Sequence, residues 1–89
     1  MKTFKPLADS VALAATTAVA LPSLPAGAVL RVACNTAGFR YRFGDNSVAI
    51  NMGTQGTVAG APVVFLYPED GATHIILTND GYLSYGYLL

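Results

Sequence analysis

Few residues in this 89-residue chain are of a type that does chemistry, and their spacing keeps them apart. His74 is the single histidine and Cys34 the single cysteine. A protein zinc site takes three or four His, Cys or carboxylate ligands, and one of each with scattered acids does not supply that set. A single cysteine also leaves no partner for a disulfide within the chain. It follows Val32 in an apolar run, where a small core residue is the expected role. Ser10, Ser23, Ser47 and Ser84 lack the glycine-flanked setting of a nucleophile elbow. Glu69 and Asp70 are adjacent carboxylates, but Gly71 follows them, as in a solvated turn. No glycine pattern forms a phosphate-binding loop leading into a helix. The expectation is a chain with no catalytic residue, no cofactor and no metal: not an enzyme.

The residues that remain are suited to contact. Phe39-Arg40-Tyr41-Arg42-Phe43 alternates aromatic and cationic side chains. In a strand, three aromatics turn to the core while Arg40 and Arg42 face water or a partner. A slip of one residue would bury both arginines, so this register is strongly fixed. At the other end, Tyr82, Leu83, Tyr85, Tyr87, Leu88 and Leu89 crowd the last eight positions. Leu83, Tyr85, Tyr87 and Leu89 share one face of a strand, with Tyr82 and Leu88 on the other. Neither face is clearly polar. Such a segment is either central in the fold or pressed against another subunit, and tyrosine suits both. Arg40, Arg42, Tyr82, Tyr85, Tyr87 and Leu89 are therefore the candidate interface residues. His74, in Thr-His-Ile-Ile-Leu, is expected to face outward with Ile76 and Thr78 while Ile75 and Leu77 face inward.

Dense turn signals position these residues. Pro22, Pro25-Ala26-Gly27, Asn35-Thr36-Ala37-Gly38, Gly44-Asp45-Asn46, Glu69-Asp70-Gly71 and Asn79-Asp80-Gly81 separate short apolar runs. That punctuation marks an all-β sandwich or barrel. Strands are expected over Val11–Leu21, Ala28–Cys34, Phe39–Phe43, Ser47–Asn51, Val63–Tyr67, Thr73–Thr78 and Tyr82–Leu88. Gly53–Gly60 reads as a loop with a short strand piece. Asn79-Asp80-Gly81 suits a three-residue hairpin loop pairing the last two strands, with Gly81 at positive φ. Phe39, Tyr41 and Phe43 are expected to have Val32, Phe65, Ile75 and Leu77 among their neighbours. The fold class is all-β: one small antiparallel β-sandwich or jelly-roll-like domain of seven or eight strands, spanning 1–89, with 1–9 as an N-terminal arm.

A chain this short buries only roughly 60–65% of its unfolded surface. Yet 53% of its residues are apolar and 11% charged, against about 25% charged in typical soluble domains. One small core cannot hide that much apolar surface, and subunit contacts account for the excess. Net charge is zero, which argues against a nucleic-acid partner. The charges are nevertheless segregated. Lys2, Lys5, Arg31, Arg40 and Arg42, opposed by Asp9, give the first part +4; Asp45, Glu69, Asp70 and Asp80 give the rest −4. The two parts neutralise each other within the fold or across a subunit contact.

Lys2 and Lys5 ahead of the Ala-rich Val11–Leu21 stretch resemble a secretory signal, with Ala18-Val19-Ala20 as a cleavage site. Asp9 interrupts that pattern, Thr16 and Thr17 weaken its centre, and Val11, Leu13, Ala15, Thr17, Val19 and Leu21 keep strand alternation. The stretch is also too short and weakly apolar for a membrane span. A strand is the reading preferred.

The order of these pieces resembles small structural proteins encoded among the virion genes of tailed bacteriophages. The segments that carry the likeness are Ala18-Val19-Ala20-Leu21-Pro22, Leu30-Arg31-Val32, Tyr41-Arg42-Phe43-Gly44-Asp45-Asn46-Ser47-Val48-Ala49, Gly60-Ala61-Pro62-Val63-Val64-Phe65 and Ala72-Thr73-His74-Ile75-Ile76. They run in order through nearly the whole chain. The Gly53–Gly60 segment and the Tyr-rich C-terminus depart from the pattern. The resemblance implies a virion location, as a capsid decoration or cement protein on the capsid surface. It implies assembly with itself as a homo-oligomer, a trimer in the first instance, and with the major capsid protein or another virion protein. Neither nucleic acid nor membrane is an expected partner. The alternatives are a neck, tail or head-fibre component, or a secreted small β-domain that binds sugar or a host surface.

Overall fold

The computed structural model describes residues 2–50 and 55–89. Met1 of the expected arm, Asn51 of the expected fourth strand and Gly53 of the glycine-rich loop lie outside the described residues. Among the described residues there are nine strands and no helix: β1 Phe4–Pro6, β2 Val11–Leu13, β3 Val19–Ala20, β4 Val29–Cys34, β5 Arg40–Gly44, β6 Thr57–Val58, β7 Val63–Leu66, β8 His74–Leu77 and β9 Gly81–Leu88. They form two antiparallel sheets. In the first, β1 and β2 both pair with one side of β9, β4 with the other, and β7 closes the order at β4. The second runs β3-β8-β5-β6. The all-β sandwich class expected from the turn spacing is the observed one.

The core lies between the sheets. Leu13, Leu30, Val32, Phe39, Ala59, Ile75, Leu77 and Leu83 are buried there, with Tyr41, Phe43, Val64, Leu66, Tyr85 and Cys34 packed against them. Alternation on β5 works as expected. Phe39, Tyr41 and Phe43 form an inward ladder with ring centroids 6.4 and 6.2 Å apart. Arg42 points out and is exposed, and Arg40 is half-buried.

Four expectations need correction. The first concerns Val11–Leu21, which is not one strand. Thr16 sits at φ 57°, a left-handed conformation that a β-branched residue adopts only under tertiary constraint. The constraint is a hydrogen bond from Thr16 N–H to the Leu77 carbonyl (2.7 Å), at the end of β8. The corner carries the chain from the first sheet (β2) to the second (β3). The second concerns residues 4–6, which are not a free arm. They pair with β9, and Thr3 and Leu89 exchange backbone hydrogen bonds of 2.7 and 2.8 Å.

The third correction is at the described part of Ser47–Asn51, which forms no strand. Ser47 N–H and Oγ both donate to Asp45 Oδ1, at 2.9 and 2.6 Å. This closes a side-chain turn that competes with strand pairing. The fourth is the last hairpin. β8 lies in the second sheet and β9 in the first, so Asn79 and Asp80 form a corner between sheets. Asp80 Oδ1 accepts from Ala15 N–H at 2.7 Å, tying this corner to the one at Thr16. Gly81 is needed for close approach and not for positive φ. A Cβ there would meet the Ala33 carbonyl oxygen and lie 2.8 Å from Cys34 Sγ.

Candidate interaction surface

Each sheet has an outer face turned away from the core, and the pairing register fixes its residues, because directly opposed residues share a face. On the second sheet, Arg42 opposes Ile76 and Arg40 opposes Val58. Ile76 was expected to face outward, and by register it does, yet it is only 2% exposed. The chain after β5 comes back over this face. Arg42 donates to the Ala49 carbonyl at 3.2 Å and to Gln55 Oε1 at 3.5 Å, and Arg40 donates to the Gly56 carbonyl at 3.4 Å. Ile50 in the same segment is buried. Both arginines thus spend hydrogen bonds on their own chain, with carbonyl and amide oxygens as partners. His74 is half-buried, and its Nδ1 shares a hydrogen bond with Thr73 Oγ1 (2.8 Å).

The outer face of the first sheet is built differently. Leu30, Val32, Leu83, Val64 and Leu66 point into the core, so the register puts Phe4 and Leu88, Arg31, Ser84 and Phe65, and Ala33, Tyr82 and Val63 outside. Arg31 is the one charged residue among them. β1 and β7 are separated by β9 and β4, a gap of about 14 Å at the usual strand spacing. Phe4 and Phe65 nevertheless meet with ring centroids 5.5 Å apart, and the Arg31 guanidinium carbon lies 6.0 Å from the Phe4 centroid. The two rings therefore reach toward each other across the sheet. Small residues, Ser84 and Gly86 on β9, leave room for this. A Cβ on Gly86 would run into the Lys5 carbonyl oxygen. Phe65 is 42% exposed, Tyr82 58% and Tyr67, just past β7, 72%.

The candidate interface residues do not converge. Arg40 and Arg42 lie on the outer face of the second sheet and Tyr82 on that of the first. Tyr85 packs against the core, Tyr87 is half-buried, and Leu89 is exposed at the end of β9. β9 is paired along both edges in the middle of its sheet, yet Tyr82 on its outer face stays exposed. Sequence reasoning missed Phe4, Arg31 and Phe65, and expected Phe65 in the core. Val63-Val64-Phe65-Leu66 is apolar in both phases of the alternation, so its facing cannot be read locally.

Two groups have shifted acidities. Burial, with a smaller contribution from Asp80, raises the Cys34 thiol above its ordinary value. The Ser47 hydroxyl, helped by the Ser47 N–H, holds the Asp45 carboxyl below the usual range. Among the described residues, no three His, Cys, Asp or Glu side chains come together as a metal site would require. Comparison with protein-family models, with curated proteins and with solved structures finds no match to this chain.

Proposed function

We propose that this chain is a non-enzymatic structural component of a tailed-bacteriophage virion, a capsid decoration or cement protein that works through subunit contacts. The observation that carries the reading is where the apolar excess goes. Of the large apolar residues left exposed among the described residues, Leu7, Val11, Phe65, Tyr67, Tyr82 and Leu89 lie on or beside the strands of the first sheet, and Val58 on β6 is the exception. Scattered exposed apolar residues are ordinary, but a gathering on one sheet marks a contact region. The ordered run of segments that resembles small phage structural proteins supplies the setting.

The mechanism is mechanical. A rigid sandwich docks through its first sheet, as a homo-oligomer or as many copies on a larger shell. Area buried between neighbours raises the cost of separating them. The test uses virions of the phage that encodes the chain, with and without its gene. The expected result is that the protein is present in many copies on purified heads and that heads lacking it rupture at lower temperature. Recovery with detached tails moves the protein to the tail. Absence from purified virions overturns the reading.

A further inference from the structure

We infer that β7 is a self-pairing edge: it joins the β7 of a second copy in antiparallel fashion, so that the two first sheets become one continuous sheet. This rests on the reading of the chain as a protein that works through subunit contacts, and it names the element that makes the contact.

The argument starts with hydrogen-bond accounting. Cys34 N–H donates to the Pro62 carbonyl at 2.8 Å. In an antiparallel ladder, bonded and non-bonded pairs alternate. The register Ala33–Val63, Val32–Val64, Arg31–Phe65, Leu30–Leu66 then makes the Val64 and Leu66 backbone groups the ones that face β4. The N–H and C=O of Val63 and Phe65 point the other way. β7 ends its sheet, and among the described residues no backbone group reaches them. Such groups pair with water or with another strand.

The sheet edges differ in how well they are protected. β3 and β6 are two residues long and β2 three, and β1 carries Lys5 and Pro6. Short strands, lysine and proline are the usual means of blocking unwanted strand addition. β7 has none of these within it. Val63-Val64-Phe65-Leu66, continued by Tyr67, is uncharged and strongly β-forming. Its prolines, Pro62 and Pro68, stand outside the strand and limit the length of any pairing.

The occupant follows from the edge's own symmetry. A two-fold axis at Val64 sets Val63 opposite Phe65 of the second copy, and Phe65 opposite its Val63. Both outward N–H groups and both outward carbonyls of each copy are then used. Pro62 falls opposite Leu66 at a non-bonded position, where its missing N–H costs nothing. Each Val63–Phe65 pair is a β-branched–aromatic cross-strand contact, a favourable type. The Phe4–Phe65 bands of the two copies merge on one face. With no charge on the strand to select a different partner, the same chain is the one whose pattern matches. A two-fold contact closes at two copies, so the unit is a dimer and not the trimer that the family resemblance implies.

The test separates register from fold. Val63 and Phe65 point away from the core, so two charged double variants are compared with the wild type by sedimentation and circular dichroism. The wild type is expected at twice the 9.2 kDa chain mass. Val63→Lys with Phe65→Lys sets lysine against lysine in both cross-strand pairs and is expected to give a folded monomer. Val63→Lys with Phe65→Glu sets lysine against glutamate in both pairs and is expected to keep the dimer. A monomeric wild type overturns the inference while leaving a virion location untouched. A dimeric Lys/Lys variant, or a folded but monomeric Lys/Glu variant, overturns the pairing. Loss of the protein from virions alone would instead overturn the functional reading.

Discussion

The two outer faces of this sandwich solve the same problem in opposite ways. On the outer face of the second sheet, Ile76 is buried, and both arginines hydrogen-bond to carbonyls of the chain after β5, at Ala49 and Gly56. Behind the first sheet, Phe4 and Phe65 bridge the middle, while Phe65 and Tyr82 stay substantially exposed. On the first sheet's outer face Val29 and Ser84 are buried, but Phe65 and Tyr82 keep much of their surface. With so few charged residues, the chain cannot make both faces polar.

Removing a covered side chain should have the largest effect. Ile76→Ala empties a buried site on the closed face and should cost about 2–4 kcal/mol, in the range for buried aliphatic truncations. Phe65→Ala removes a larger side chain from the open face. It should cost below about 1 kcal/mol in the isolated chain, as substitutions at exposed positions do. Urea unfolding of both variants under conditions that keep the chain monomeric decides the matter. Equal costs would mean that the first sheet is closed as well, and the contrast between the faces would go.

The sequence shows part of this contrast and hides the rest. The strand alternation of Phe39 to Phe43 fixes one ladder and its register, because three aromatics and two arginines leave a single acceptable facing. Most strands are legible for the same reason, as short apolar runs between turn residues. Which sheet a strand joins is not legible. Thr73–Thr78 and Tyr82–Leu88 are apolar in both phases, and the short link between them fits a hairpin or a corner equally well. Tertiary burial decides for the corner, held by Asp80 and Thr16. The open face is hidden for a related reason. Phe4 and Phe65 are 61 positions apart in the sequence, and only the β1-β9-β4-β7 order lets them meet.

A smaller effect should come from the arginines. Arg42→Ala removes two hydrogen bonds from an exposed side chain at 3.2 and 3.5 Å. Bonds of that length and exposure contribute little, so a loss of about 0.5 kcal/mol or less is expected. The same substitution should leave self-association unchanged, because Arg42 lies on the face opposite to Phe65. A variant that dissociates the wild-type assembly without unfolding it would move the contact to the second sheet.

The smallest effect is a titration that should reach one face only. Asp45 stands at the start of the segment that covers the second sheet, where the Ser47 hydroxyl and N–H hold its carboxyl below the ordinary range, with a lesser contribution from His74. A carboxyl depressed in the folded state stabilises the fold fully above its unfolded pKa. That contribution is lost as pH falls through the folded value, so the window lies on the acid side of about 4. Ser47→Ala deletes the hydroxyl bond and leaves the N–H, so the Asp45 pKa should rise part of the way back. Carboxyl titration by NMR reads this directly. The covering segment should loosen as Asp45 protonates, so Ile76 methyl signals should follow the same curve. Phe65 ring signals, on the opposite face, should not. If Phe65 shifts with the Asp45 titration, the two faces are coupled, and cover on one of them is not independent of exposure on the other.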